Sequence, residues 1–237
     1  MNIFPCNKYF CKCVEYLNFA NKKHMNILKL TTCSFLLTFV INLNADISAP
    51  SSLDWLDSKQ EMMMQGISAT DCKKLLDGAV EYCSLSDLTK PISFAEYYTG
   101  YFVRGYGLTK ISITGKDITN DIYGTSGISQ YNKLKNSLFN KYPEDQGYAF
   151  TSYEYTASKL FKESDEFYEC LKYDGCGSRT TYILTADDIP SKGTLSIELS
   201  GLSRGTGYIT LTYESSSWSE ALDMAKSKQN EADEDAL

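Results

Sequence analysis

The chain has 237 residues, of which 43% are hydrophobic, 22% charged and 13% aromatic, a composition that supports a folded core and excludes wholesale disorder. Its 23 Lys and Arg face 30 Asp and Glu, giving a net charge of -7 with the single His neutral. That sign disfavours a phosphate backbone as partner, so no nucleic-acid binding is expected.

The first recognisable element is a targeting signal. Residues 30–43 form the one sustained apolar stretch, with Phe35, Leu36, Leu37, Phe39, Val40 and Ile41 at its heart and Lys22, Lys23 and Lys29 before it. Thr31, Thr32, Ser34 and Thr38 interrupt it, and it falls short of the roughly 20 residues that span a bilayer, so it predicts a cleaved export signal over 25–45 rather than a transmembrane anchor. Ala45 is the expected cleavage point and Asp46 the expected mature N-terminus. Met25 opens a compact signal, so residues 1–24 are expected to be an over-long start or an extension of that signal. No Cys follows the apolar run closely enough for lipidation.

Removing 1–45 leaves 18 cations against 29 anions, a net charge of -11, and takes away His24, the only histidine. Ser-His-Asp and Cys-His catalysis and His-ligated metal centres each lose a required part, so no catalytic residue, metal or cofactor is assigned. Four cysteines follow the signal: Cys72, Cys83, Cys170 and Cys176. An even count in an exported chain predicts disulfides. Proximity favours Cys72 with Cys83 and Cys170 with Cys176, and the spacings do not match paired zinc knuckles.

Residues 46–65 read as a polar leading segment with scattered apolar positions. Ser68, Asp71, Cys72, Leu75 and Leu76 predict a short capped helix over 69–77, closed by Gly78. Beyond Pro91, the run Phe94, Tyr97, Tyr98, Tyr101, Phe102 and Val103 predicts a strand that turns at Gly105-Tyr106-Gly107 and returns through Leu108, Ile111 and Ile113. A loop over 115–127 leads to a second helix carrying Ile128, Tyr131, Leu134, Leu138 and Phe139, which stops before Pro143. Residues 150–156 predict a strand. Ser164 is the expected cap of a third helix through Tyr173, with Gly175 as its stop. Three alternating strands follow over 180–185, 194–199 and 208–213. Ala221, Leu222 and Ala225 predict a short terminal helix within 218–237, ending in an acidic tail at 231–235 that is expected to be disordered.

Two short matches hint at repetition. Gly66-Ile67-Ser68 recurs as Gly127-Ile128-Ser129, and Arg104-Gly105-Tyr106-Gly107 recurs as Arg204-Gly205-Thr206-Gly207. They predict one α+β domain over 66–217 with antiparallel sheet, built from two degenerate helix-plus-hairpin halves at 66–115 and 127–213, the third helix being an insertion in the second. The order Gly66-Ile67-Ser68, short helix, aromatic hairpins resembles the small modules of bacterial envelope proteins in the β-lactamase-inhibitor-like group, which includes outer-membrane-assembly lipoproteins. The resemblance covers about 66–114 and implies an envelope module; no contact residue carries over.

Acidic residues Asp165, Glu166, Glu169, Asp174, Asp187 and Asp188 are the most tempting cluster for paired-carboxylate chemistry on a sugar, and helix-start and turn roles explain them more simply. The glycine pairs lack the third glycine and following helix of a nucleotide fingerprint, and so read as hairpin turns. The aromatics remain. Tyr97, Tyr98, Tyr101, Phe102 and Tyr106 exceed what one hairpin face needs, and alternation sends Tyr97, Tyr101 and Val103 to one side and Tyr98 and Phe102 to the other. These five are the candidate binding surface. The expected protein is a non-catalytic periplasmic or secreted binder of another protein or of a glycan; a carboxylate-dependent polysaccharide hydrolase is the alternative.

Overall fold

The structure, a computed structural model, describes residues 47–153, 163–173, 179–185 and 193–235. The expected signal at 25–45, Cys176, Asp174, Gly175, Tyr155, Asp187 and Asp188 lie outside these residues.

The described chain forms helix α1 (Lys59–Met64), strands β1 (Ser68–Leu75), β2 (Val80–Ser86), β3 (Ala95–Val103) and β4 (Gly107–Gly115), then helix α2 (Thr125–Lys141) and strand β5 (Tyr148–Tyr153). Helix α3 (Phe167–Lys172), strands β6 (Arg179–Thr185), β7 (Thr194–Ser203) and β8 (Thr206–Glu214), and helix α4 (Trp218–Asp235) complete it. The strands make one eight-stranded sheet in the order β1-β2-β3-β4-β8-β7-β6-β5, antiparallel at every pairing. The fold is α+β, as expected. Each half is a helix followed by a four-strand meander, and the halves join edge to edge through β4 and β8.

The β4–β8 register has a two-fold relation. Lys110 pairs with Glu214 and Thr114 with Thr210, so the centre lies at Ser112 opposite Thr212. Those two residues are 100 positions apart, the same separation as Arg104 and Arg204, which occupy the β3–β4 and β7–β8 turns. The Arg-Gly-x-Gly echo therefore marks equivalent hairpins. The Gly-Ile-Ser echo does not: Gly66 follows α1, whereas Gly127 lies in the first turn of α2.

Three expectations need correction. Residues 69–77 are not a helix but belong to β1 and a tight turn at Leu76–Gly78. Nine residues are too few to hold a helix without a packed face, while β2 offers a strand edge and a sulfur. The β1–β2 register slips between Thr70 and Lys73, Asp71 takes a positive φ, and this bulge brings Cys72 to a disulfide with Cys83. The leading segment at 46–65 is part of the domain expected to begin at 66, because Ile47, Leu53 and Met62 are buried in its core, and Ser58 and Glu61 form a reciprocal capping box that starts α1. The acidic residues 231–235 continue α4 to Asp235 instead of fraying.

The core lies on one face of the sheet. Leu85, Tyr98, Phe102, Ile111, Ile113, Leu195, Ile197 and Leu211 point inward beneath Tyr131 and Leu138 of α2 and Tyr168 of α3, each fully buried aliphatic side chain stabilising the fold by about 1.5–3 kcal/mol relative to exposure. Close glycine approaches set the helix positions. A Cβ on Gly127 would stand 2.2 Å from the Tyr168 hydroxyl oxygen, and one on Gly207 would stand 2.2 Å from the Tyr168 ring. Glycines in both echoed motifs thus clear the slot that Tyr168 fills.

Candidate recognition surface

Side chains alternate across a strand, so the residues between the core positions project from the opposite face. Cross-strand partners share a face, and the register lays them out in rows. One row runs Ser84, Thr99, Ser112, Thr212, Ser196, Tyr182 and Thr151 across seven consecutive strands, with a hydroxyl on every one. Adjacent strands lie about 4.8 Å apart, so this row extends about 29 Å. A second row holds Tyr82, Tyr101, Lys110, Glu214 and Thr194. A third holds Tyr97, Thr114, Thr210, Glu198 and Tyr153, while Tyr208 and Ser200 stand beyond it. All nineteen are half-buried or exposed; Thr180, in the third row, is buried.

Sixteen of the nineteen are Tyr, Ser or Thr. The three charged ones are Lys110, Glu214 and Glu198, and Lys110 is bound to Glu214 at 2.9 Å, so these rows carry little net charge in an acidic chain; the exposed Lys73 of edge strand β1 stands opposite Tyr82. Tyr97 and Tyr153 are 59% and 58% exposed. Tyr153 meets Tyr182 edge-on at 6.0 Å between centroids. Around the other end, Tyr82 and Tyr101 are 5.9 Å apart, Trp218 approaches Tyr101 edge-on at 6.1 Å, and Lys110 Nζ lies 5.5 Å over Tyr101 and 5.0 Å over Trp218. The Glu96 carboxylate beside the Tyr97 hydroxyl holds its pKa above the ordinary phenol value.

Helix α4 covers one corner of this face. Ala221 and Ala225 bury Val80 and Val103 in a cluster separate from the main core, and the Tyr106 hydroxyl donates to Met224 Sδ at 2.9 Å.

The five sequence-derived aromatics therefore divide. Tyr97 and Tyr101 lie on the open face. Tyr98 and Phe102, each 7% exposed, belong to the core and leave the surface, because the alternation that exposes their neighbours turns them beneath the helices. Tyr106 is held by α4. The Ser and Thr rows, and Tyr82, Tyr153, Tyr182 and Tyr208, carried a signal in the Thr-x-Thr-x-Glu alternation of 210–214, but its significance depends on a strand order that brings distant segments side by side.

Of the acidic candidates among the described residues, Asp165 and Glu166 have structural roles. Asp165 pairs with Arg204. Glu163, rather than Ser164, caps the third helical segment, and Glu166 completes that capping box. Cys72, Glu81 and Cys83 lie together, but the two sulfurs are bonded to each other and Glu81 is engaged by Lys59, which leaves no thiolate for a metal. Cys170 is also disulfide-bonded.

Comparison with protein-family models, curated proteins and solved structures finds no match to this chain.

Proposed function

We propose that this chain is an exported, non-catalytic protein that recognises another protein through the open face of its sheet. One observation carries the reading: sixteen of the nineteen half-buried or exposed side chains counted in these rows across β2 to β8 are Tyr, Ser or Thr. Tyrosine supplies large contact area at low entropic cost and hydroxyls supply adaptable hydrogen bonds, the composition of evolved protein-binding surfaces. Few charges in these rows also spare docking the larger cost of desolvating ions. The Cys72–Cys83 disulfide supports an oxidising compartment, in keeping with the apolar segment near the N-terminus, and the resemblance to envelope modules implies the same setting.

Affinity capture from the secreted and envelope fractions of the source cells, using the oxidised chain and its Tyr97→Ala and Tyr101→Ala variants, tests the proposal. Recovery of a protein partner whose affinity falls roughly 10-fold or more in the variants supports it. Turnover of a polysaccharide that depends on Glu166 would replace it with the hydrolase reading.

A further inference from the structure

The two hairpins related by the sheet's two-fold differ in one electrostatic respect. Arg204, in the β7–β8 turn, is neutralised by Asp165. Arg104, its equivalent in the β3–β4 turn, donates to the Gly78 carbonyl at 3.0 Å and has no ion-pair partner among the described residues. Lys74, the cross-strand partner of Glu81, likewise has no ion-pair partner among the described residues, because Glu81 is bound by Lys59. Both side chains pack over Gly78: a Cβ at that position would stand 3.4 Å from Arg104 Nη2 and 3.4 Å from Lys74 Cδ.

Two cavities flank this pair. One, of about 350 Å³, is lined by Lys59, Lys74, Arg104 and the turn glycines Gly105 and Gly107; the other, of about 200 Å³, adds Lys228 of α4. The acids lining them are Glu81, already taken by Lys59, and Asp77. Four cations thus meet two acids at one corner of a chain whose overall charge is negative. With Glu81 engaged by Lys59, Asp77 is the one lining acid left to offset the exposed Arg104 and Lys74, and an anion placed between the two cations is attracted by both. The Gly78 carbonyl fixes one arm of the guanidinium, leaving the rest of its donor fork for a planar or tetrahedral oxyanion, with the lysine as a point charge beside it.

We propose that Arg104 and Lys74 form a binding site for a phosphate group, presented either by a free phosphate compound or by an anionic lipid headgroup. The site is distinct from the open-face surface and does not depend on it.

The test is a titration of the oxidised full chain with inorganic phosphate, followed by amide NMR shifts, alongside flotation with phosphatidylglycerol-containing vesicles and with pure phosphatidylcholine vesicles. Saturable shifts at Gly78 and Gly105 are expected, with affinity at least 10-fold weaker in Arg104→Gln, several-fold weaker in Lys74→Gln and unchanged in Arg204→Gln. Flotation with phosphatidylglycerol that Arg104→Gln abolishes assigns the phosphate to a headgroup; phosphate binding without flotation assigns it to a free compound. Neither saturable shifts nor selective flotation, or equal binding by wild type and Arg104→Gln, overturns the proposal. Should Arg104→Gln fail to fold, Lys74→Gln carries the same comparison, since its side chain is exposed.

Discussion

The Tyr168 hydroxyl donates to Asp121 Oδ2 at 2.8 Å, and the same oxygen accepts the Gly127 N–H at 2.8 Å. Helix α2 has no side-chain cap at Gly124, so this buried carboxylate, three residues upstream, satisfies the helix N-terminus and ties it to α3. Tyr168→Phe is expected to lose about 1–2 kcal/mol of unfolding free energy and Asp121→Ala about 2–3 kcal/mol, since the latter also strands the helix N–H groups and the phenol. Gly207→Ala, which drives a methyl into the Tyr168 ring, is expected to cost about 3 kcal/mol. Urea denaturation of the three variants checks the order. Equal stability of Tyr168→Phe and wild type would refute the role given to this bond.

The same pair predicts a pH profile. Burial pushes the Asp121 pKa up, but the Gly127 N–H, the Tyr168 hydroxyl and the Ser126 and Thr125 N–H groups outweigh it and hold the pKa below the ordinary value. Its contribution is complete above the unfolded pKa of about 3.9 and is lost as pH falls through the folded value. Burial raises the Tyr168 and Tyr213 phenols, with the Asp121 bond adding to the first and the neighbouring Tyr142 and Tyr98 to the second. Unfolded tyrosines ionise near pH 10, so their contribution is full below that pH and declines above it. Stability is expected to be level from about pH 5 to 9 and to fall on both sides. Asp121→Asn should flatten the acid limb and Tyr168→Phe part of the alkaline one, read as urea midpoints across pH.

Reduction gives a third prediction. The Cys72–Cys83 bond spans 11 positions, and closing a loop of that size restricts the unfolded chain by about 3 kcal/mol. The Cys72→Ser, Cys83→Ser double variant should be destabilised by up to about that amount, with most of the loss in protection at β1, the edge strand, when followed by amide hydrogen exchange. Unchanged exchange in β1 would mean that pairing with β2 holds the strand without the bond.

Much of this architecture was legible where one segment carries its own pattern. The β3–β4 hairpin, α2 and the strands β6, β7 and β8 announce themselves through alternation, a 3.6-residue stripe and glycine turns. Residues 69–77 misled because Ser68, Asp71 and Leu75 satisfy helical spacing, while the bulge that lets Cys72 reach Cys83 depends on a partner strand. The site was half legible for a related reason. Alternation separated Tyr97 and Tyr101 from Tyr98 and Phe102, but the hydroxyl row from Ser84 to Thr151 exists only once β4 has paired with β8, a contact between residues 100 positions apart.

Ser112 and Thr212, at the two-fold centre of the open sheet face, offer the most direct access to it as a recognition surface. Both side chains are half-buried and point away from the core, so Ser112→Glu with Thr212→Arg, which places opposite charges on cross-strand partners, should change stability by no more than about 1 kcal/mol while blocking the middle of the face. Capture from the source-cell envelope and secreted fractions by wild type and this double variant, with cross-links mapped on whatever is bound, is the deciding measurement. A protein cross-linked to residues on β3, β4, β7 and β8 is expected in wild type, with at least 10-fold less of it on the variant. Equal capture by both, or cross-links confined to the helix-covered side, would contradict it.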